Sequence, residues 1–333
     1  MWRFGHGEGV VFTPGPLPAD VPTSFTCRGA LAAGASRSRL RARDLDRPFH
    51  GVRSLRPPPT DLDGPLATDR AGRERVTRLA EAYALIMQPT AFFAGTTAAV
   101  LFGAPLAHGS DLSVGVLAPH RAPRGRGVKG VKVPPHLVSV VRHLELPMSS
   151  PASTWAMLGR ELSVRQLVIV GDAFVRIPRD ASGSPQPHRR LASIAQLHRA
   201  IDAGRRFGIA SLREAAGLIR VGSSSPLETE FRLDMESARL PQPELDVEIR
   251  DDRGRLVGIT ELVLRAFRVV VEVEGDHHRT DRRQWHRDIE KYAAYAALGW
   301  EVVRVTSHHV RDGSGVQRLR EVLLRRGWRA GDA

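Results

Sequence analysis

The segment from Phe267 to Glu274 constrains this chain more than any other. Its four valines, Val269, Val270, Val271 and Val273, bounded by turn-like residues, predict a buried β-strand, yet Glu272 and Glu274 interrupt it two residues apart. Side chains alternate along a strand, so both carboxylates share one face while Val271 and Val273 point to the core on the other. Two strands precede it, Glu244 to Arg250 and Arg255 to Leu264, separated by the turn sequence Asp251-Asp252-Arg253-Gly254; Arg265-Ala266 makes a tight connection to the acidic strand.

An antiparallel meander of this kind brings Glu261 alongside Glu272 or Glu274. Three like charges so close together are unstable without a cation. Mg2+ or Mn2+ would resolve the repulsion, because hard cations take carboxylate oxygens, and the bound metal can generate hydroxide and stabilise charge building on a phosphate. Phosphodiester hydrolysis is the reaction this implies. The ordinary structural readings stand beside it. Glu228 would close a capping box with Ser225, Glu261 and Glu272 would pair with Arg265 or Arg268, and Asp288 would bridge to Arg287 or Lys291. His277, His278, His286, His308 and His309 fit no common zinc spacing.

Around this strand the pattern continues. Ser225-Pro226-Leu227-Glu228 opens a helix to about Ala238, with Leu227, Phe231, Leu233 and Met235 as its buried stripe. A helix from Asp281 to Leu298, Gly299, a strand from Trp300 to Thr306 and a helix from Gly315 to about Arg326 complete the order αβββαβα over residues 223–327.

A chain of 333 residues fits two or three domains, each with its own core. Residues 1–22 are rich in Gly and Pro and predict a loosely ordered arm. Residues 23–57 read as a small winged helix-turn-helix: a helix from Cys27 to Ala33, a turn at Gly34, a second helix from Ser36 to Asp44, and a strand from His50 to Leu55. Its second helix would enter the major groove of DNA with Arg37, Arg39, Arg41 and Arg43, and Arg53 would lie on the wing. The alternative is a small packing domain with a basic solvent face.

Pro57 to Pro65 is a Pro/Asp-rich linker. A central α+β domain at 66–181 follows, with helices expected at Asp69–Met87, Thr96–Phe102, Pro151–Leu158 and Val164–Phe174, and strands at Leu112–Leu117, Lys129–Val133 and Leu137–Leu144. Ser182 to Pro187 is a second linker, and a helical connector at 188–222 holds helices at Arg190–Ala203 and Ser211–Arg220. No internal repeat is visible.

The net charge is +13, and residues 226–333 carry 19 basic and 20 acidic side chains, so the whole excess lies before residue 226. A positive field confined to one part of a chain favours a polyanionic partner, nucleic acid first and anionic membrane second, although a solvated Arg-rich surface would give the same count. Lysine appears only at 129, 132 and 291. Cys27 is the sole cysteine, which excludes a disulfide framework or a cysteine zinc site within one chain and fits a reducing, cytoplasmic setting. The first residues lack the apolar core of a signal peptide, and no apolar run approaches a membrane span.

Glu228, Glu261-Leu-Val, Val-Glu272-Val-Glu274-Gly-Asp-His-His278-Arg, Asp288 and Gly299-Trp-Glu-Val-Val-Arg together resemble the endonuclease-domain family related to very-short-patch-repair enzymes, within the PD-(D/E)XK superfamily. Upstream, Phe25-Thr-Cys-Arg…Ala-Gly34…Arg-Pro-Phe-His-Gly-Val-Arg53 is similar to the AbiEi-type antitoxin winged helix. The resemblance implies a restriction-endonuclease-like C-terminal domain with Glu272 and Glu274 in the strand acidic positions. It gives Glu261 the acidic position of the preceding strand, Glu228 the helix acid, His278 the histidine after the Gly turn and Asp288 a supporting role. Two departures stand out. Glu261 replaces the family's Asp, and Glu274 holds the place of the superfamily lysine, leaving His278 to orient water or steady the phosphate. The functions implied are a metal-dependent DNA endonuclease or nickase, or a catalytically impaired DNA-binding regulator of antitoxin type with a toxin or defence-system partner. An RNA-acting nuclease or a protein-interaction module stays open as a third.

Overall fold

The computed structural model of the protein describes residues 14–58, 67–275 and 282–331, with the backbone alone for residues 282–288. Among the described residues the chain builds eleven α-helices and three separate sheets, a multidomain α+β architecture. No helix among them is long and apolar enough to cross a membrane.

The N-terminal unit is a three-stranded antiparallel sheet of β1 (Ser24–Thr26), β2 (Leu45–Asp46) and β3 (Val52–Leu55) in the order β1-β3-β2, with α1 (Cys27–Ala32) packed on it through Phe25, Ala30, Leu40 and Leu45. The Thr26 hydroxyl caps α1 by accepting from Gly29 N at 3.0 Å. The second helix expected from Ser36 to Asp44 does not form. A single 3-10 turn, Arg39–Arg41, stands in its place. Local polar side chains outcompete the helix. Ser36 Oγ accepts from Arg39 N at 3.1 Å, and the Asp44 carboxylate grips the Arg39 guanidinium with bonds of 2.9 and 2.7 Å. Arg53 donates to the carbonyls of Leu40 and Val52 at 2.9 and 2.8 Å. Arg39 and Arg53 therefore brace this turn, and the recognition helix that would have aligned four arginines is absent.

The central sheet is mixed, with the order β6-β7-β5-β4-β9-β8. It contains β4 (Ala91–Phe93), β5 (Leu112–Leu117), β6 (Arg124–Gly125), β7 (Val128–Val133), β8 (Val140–His143) and β9 (Leu146–Ser149), with α2 (Ala67–Ala84) and α3 (Gly95–Leu101) contributing to its core. The strand expected at Leu137–Leu144 is instead a 3-10 turn followed by the β8–β9 hairpin, reversed at Leu144 and Glu145, whose φ values are 50 and 59. The helices α4 (Pro151–Met157), α5 (Val164–Val175), α6 (Ile194–Asp202) and α7 (Ile209–Leu218) share one core through Trp155, Leu167, Phe174, Leu197 and Leu212. Trp155 is fully buried with its indole N–H donating to Leu167 O at 2.8 Å, so truncating it would cost roughly 3–5 kcal/mol.

The C-terminal unit follows the expected order with one short helix added. It comprises α8 (Pro226–Ser237), β10 (Glu244–Arg250), β11 (Leu256–Leu264), β12 (Val269–Glu274), α9 (Arg282–Ala297), β13 (Glu301–Thr306), α10 (Ser307–Arg311) and α11 (Ser314–Arg325). β10, β11 and β12 form the antiparallel meander, and β13 joins β12 in parallel through the α9 crossover. One sheet face, with Leu262, Val269, Val271 and Val273, packs on Phe231, Met235, Leu319 and Leu323; the other, with Val263 and Val270, packs on Tyr295 of α9.

Among the described residues, ion pairs at α5–α8 and at β10 connect this unit to the rest, Arg165–Asp234 at 2.8 Å among them. Asp172 of α5, fully buried, accepts from Arg232 and Thr229 of α8 at 2.8 and 2.9 Å. Arg179 grips Asp246 at 2.8 and 2.9 Å and Glu248 at 3.1 Å, just before the Ser182–Pro187 stretch. That stretch is a tight turn, in which the Asp180 carboxylate accepts from the backbone of Ser182 and Ser184.

Candidate functional site

A cleft of about 730 Å3 opens in the C-terminal unit, and its lining includes Thr260 and Glu261 of β11, Glu272 and Glu274 of β12, Lys291 of α9 and Arg304 of β13. Sheet geometry brings these together. The β11–β12 ladder pairs Leu262 with Val271 and Val263 with Val270. Beyond it the Glu261 carboxylate accepts the backbone N–H of Val273, taking the place of a ladder carbonyl.

Glu272 is buried at 7% exposure and is well satisfied. The Thr260 hydroxyl donates to it at 2.6 Å, and Lys291 Nζ reaches both its oxygens at 2.9 and 3.0 Å while also donating to Ile259 O at 3.2 Å. Lys291 lies 5.7 and 5.6 Å from the ring centroids of Tyr292 and Tyr295, so its ammonium is held by aromatic faces as well as by charge. The Tyr295 hydroxyl is fully buried without a hydrogen-bond partner among the described residues, and burial, followed by the nearby Glu272 charge, pushes its pKa up. Gly258 admits it: a Cβ there would lie 2.5 Å from Tyr295 Oη.

Glu261 carries the clearest electrostatic anomaly. Burial, and then the charges of Glu228 and Glu272, push its carboxyl up to about 9, against the opposing pull of the Val273 N–H and of Lys291. Glu228, at 4% exposure, is also raised by burial, partly offset by the backbone N–H and hydroxyl of Ser224, which reach it at 2.7 and 2.8 Å. The capping expected of Glu228 is half realised. Ser225 Oγ accepts from Glu228 N at 3.2 Å, while the glutamate side chain turns back to Ser224.

Glu274 is placed differently. Arg304 clamps both of its oxygens at 2.5 and 2.8 Å, from a strand that pairs Glu272 with Arg304 and Glu274 with Thr306 in parallel register. Glu274, one of the three carboxylates expected as metal ligands, is thereby neutralised by Arg304. Among the described residues no group of three or more His, Cys, Asp or Glu is disposed to hold a metal. The pairing of Glu261 and Glu272 with Arg265 or Arg268 is also not found; Arg265 binds Glu244 at 2.8 Å. His278 lies outside the described residues, as does the side chain of Asp288.

The cation requirement can be tested on the donor set. Glu261 and Glu272 present hard oxygens, and Glu261 holds a proton into the alkaline range because it is buried and, after that, because Glu228 and Glu272 lie near it. Magnesium-sized ions are commonly held by one or two carboxylates, with water and substrate phosphate completing the shell. Two carboxylates fit that pattern.

Sequence reasoning passed over Lys291 except as a partner for Asp288, set His309 aside with the other histidines as unfit for zinc, met Arg304 only as the last residue of the Gly299-Trp-Glu-Val-Val-Arg motif, and assigned nothing to Thr260, Tyr292 or Arg318, which share the cleft. One signal was present: Lys291 is one of three lysines in a chain whose other 46 basic residues are arginine. His309 of α10 accepts from Thr306 N at 3.1 Å, which positions it at the cleft edge. In the N-terminal unit, Arg37, Arg41 and Arg43 are exposed, but Arg39 and Arg53 are occupied by the contacts that hold the turn.

Nothing matches the sequence among family models or curated proteins. A solved structure that it is similar to is the "Crystal structure of RV2827C protein from Mycobacterium tuberculosis", at 15% identity and a TM-score of 0.35 over 71% of this chain and 86% of that one, a likeness too slight to carry an argument.

Proposed function

We propose that this protein is a metal-dependent DNA endonuclease or nickase whose chemistry centres on Glu261, Glu272 and Lys291. One observation carries the reading: carboxylates from two adjacent strands and an ammonium from the crossover helix lie in the same cleft as Arg304, His309 and Arg318. Acidic oxygens beside cationic donors suit a phosphodiester, whose bridging bond must be strained while charge grows on its other oxygens.

Within that reading Glu261 and Glu272 would hold Mg2+ or Mn2+. When bound, the cation supplies Lewis acidity and neutralises charge on the phosphate. Positive charge beside Glu261 would favour its ionised form, the proton passing to solvent. Lys291, fixed by Glu272 and two tyrosine faces, would place its positive charge beside the phosphate, and would donate to a phosphate oxygen by exchanging one of its three present contacts. Burial, and after it the charge of Glu228, set how readily Glu261 deprotonates.

Supercoiled plasmid incubated with protein and Mg2+ or Mn2+ tests the assignment. Nicking is expected from the wild-type chain and should be abolished in Glu272→Gln and Lys291→Ala; absence of nicking at every protein and metal concentration overturns it. A second reading is favoured by the Glu274–Arg304 clamp and by Glu261 in place of the shorter acid. In it the protein is a DNA-binding regulator of AbiEi antitoxin type, its nuclease-like unit surviving as a scaffold. Salt-sensitive duplex binding with neither cleavage nor metal uptake selects that reading, whereas cleavage that rises in Glu261→Asp selects the enzyme.

A further inference from the structure

Between Asp111 and Glu145 the chain has no acidic residue in 33 positions, yet it carries Arg121, Arg124, Arg126, Lys129, Lys132 and Arg142. This stretch supplies the β6–β7 edge of the central sheet. β6 and β7 form an antiparallel ribbon in which Arg124 is paired with Lys129 and Gly125 with Val128. Like charges directly opposite across a ribbon repel. Lys129 is neutralised by Glu161 at 2.5 Å, but Arg121, Arg124, Arg126 and Lys132 are exposed and have no ion pair among the described residues.

Close contacts fix the ribbon's shape. A Cβ on Gly130 would fall 2.1 Å from the Pro123 carbonyl oxygen, so glycine there lets the chain entering β6 lie directly over β7. At the turn, Gly127 has φ +79, and a Cβ on it would lie 3.4 Å from Cε1 of Phe49, whose neighbours Arg47 and His50 are exposed. The basic surface therefore continues from the ribbon onto the N-terminal unit.

From this we infer that the β6–β7 ribbon is the surface on which the backbone of duplex DNA docks, with Arg124 and Arg126 as its leading phosphate contacts. A two-stranded ribbon is narrow enough for the major groove, and uncompensated arginines at its tip release condensed counterions when they meet phosphate. The ribbon takes the role that the missing recognition helix would have played. The inference rests on the partner being DNA, as proposed above, and holds whether or not the cleft cuts.

The test is fluorescence anisotropy of the full chain with a labelled random-sequence duplex over a salt series, comparing wild type with the double variant Arg124→Ala/Arg126→Ala. The slope of log affinity against log salt is expected to fall by about two, because two phosphate contacts are lost. The thermal midpoint should be unchanged, since both side chains are exposed. An unchanged slope, no duplex binding by the wild type, or tighter binding to single-stranded RNA or to phosphatidylserine vesicles would overturn the inference. Glu272→Gln separates it from the enzymatic reading: it should bind like wild type while losing nicking. A wild-type protein that binds through the ribbon and never nicks refutes the cleft chemistry alone.

Discussion

The central ribbon and the acidic strand β12 are both sheet segments studded with like charges, yet they meet that repulsion in opposite ways. At β6–β7 the arginines stand in solvent, where water screens them and repulsion costs little. On β12 and its neighbour β11 the carboxylates are largely buried, and each has a donor: Lys291 and Thr260 for Glu272, Arg304 for Glu274, a backbone N–H for Glu261. The difference teaches that exposure, more than charge count, decides whether a cluster can wait for a partner or must be neutralised within the fold.

The largest expected effect lies on the buried side. Lys291→Ala leaves Glu272 with Thr260 as its remaining side-chain donor among the described residues and should cost roughly 3–5 kcal/mol in urea unfolding. A loss no larger than that of a surface variant would break the contrast.

Next comes the pH dependence of Glu261. Its folded pKa is raised, so as pH climbs from the ordinary carboxylate range towards about 9 the unfolded chain has released this proton while the folded chain keeps it. Stability from this group is therefore progressively lost across that window and levels off above it. Glu261→Gln should melt higher than wild type at pH 8, with the gap closing near pH 4; a constant gap across the range would show that the Glu261 carboxyl is not raised in the folded chain. Saturating Mn2+ should narrow the same gap at pH 8 by stabilising the wild type alone.

A smaller effect is expected at Arg304, whose pair with Glu274 is partly exposed. Arg304→Gln should alter stability by no more than about 1 kcal/mol, and by freeing Glu274 it should tighten Mn2+ binding in calorimetry. On the ribbon, Arg124→Ala/Arg126→Ala should change stability least of all, within about 0.5 kcal/mol. A marked destabilisation there would mean that those arginines serve the fold.

Much of the C-terminal unit was legible in advance because its signals are local. The DDRG turn, the valine run of β12 and Gly299 each act over a few residues, and the meander, crossover and closing strand follow them. The N-terminal unit was less legible. Ser36 to Asp44 carries helix-compatible residues, but Asp44 and Ser36 capture Arg39 in a turn, a competition that composition does not rank. β4 went unseen because three buried residues carry no periodicity.

For the site, the sequence by itself determined which face of β12 bears carboxylates and that Glu261 lies on the neighbouring strand, because alternation and turn length are properties of the chain in order. Only the tertiary structure decided which carboxylates keep company with a cation. Lys291 reaches Glu272 from a helix 19 residues downstream, and Arg304 reaches Glu274 across 30, distances at which no local rule operates and packing of α9 and β13 onto the sheet alone sets the partners.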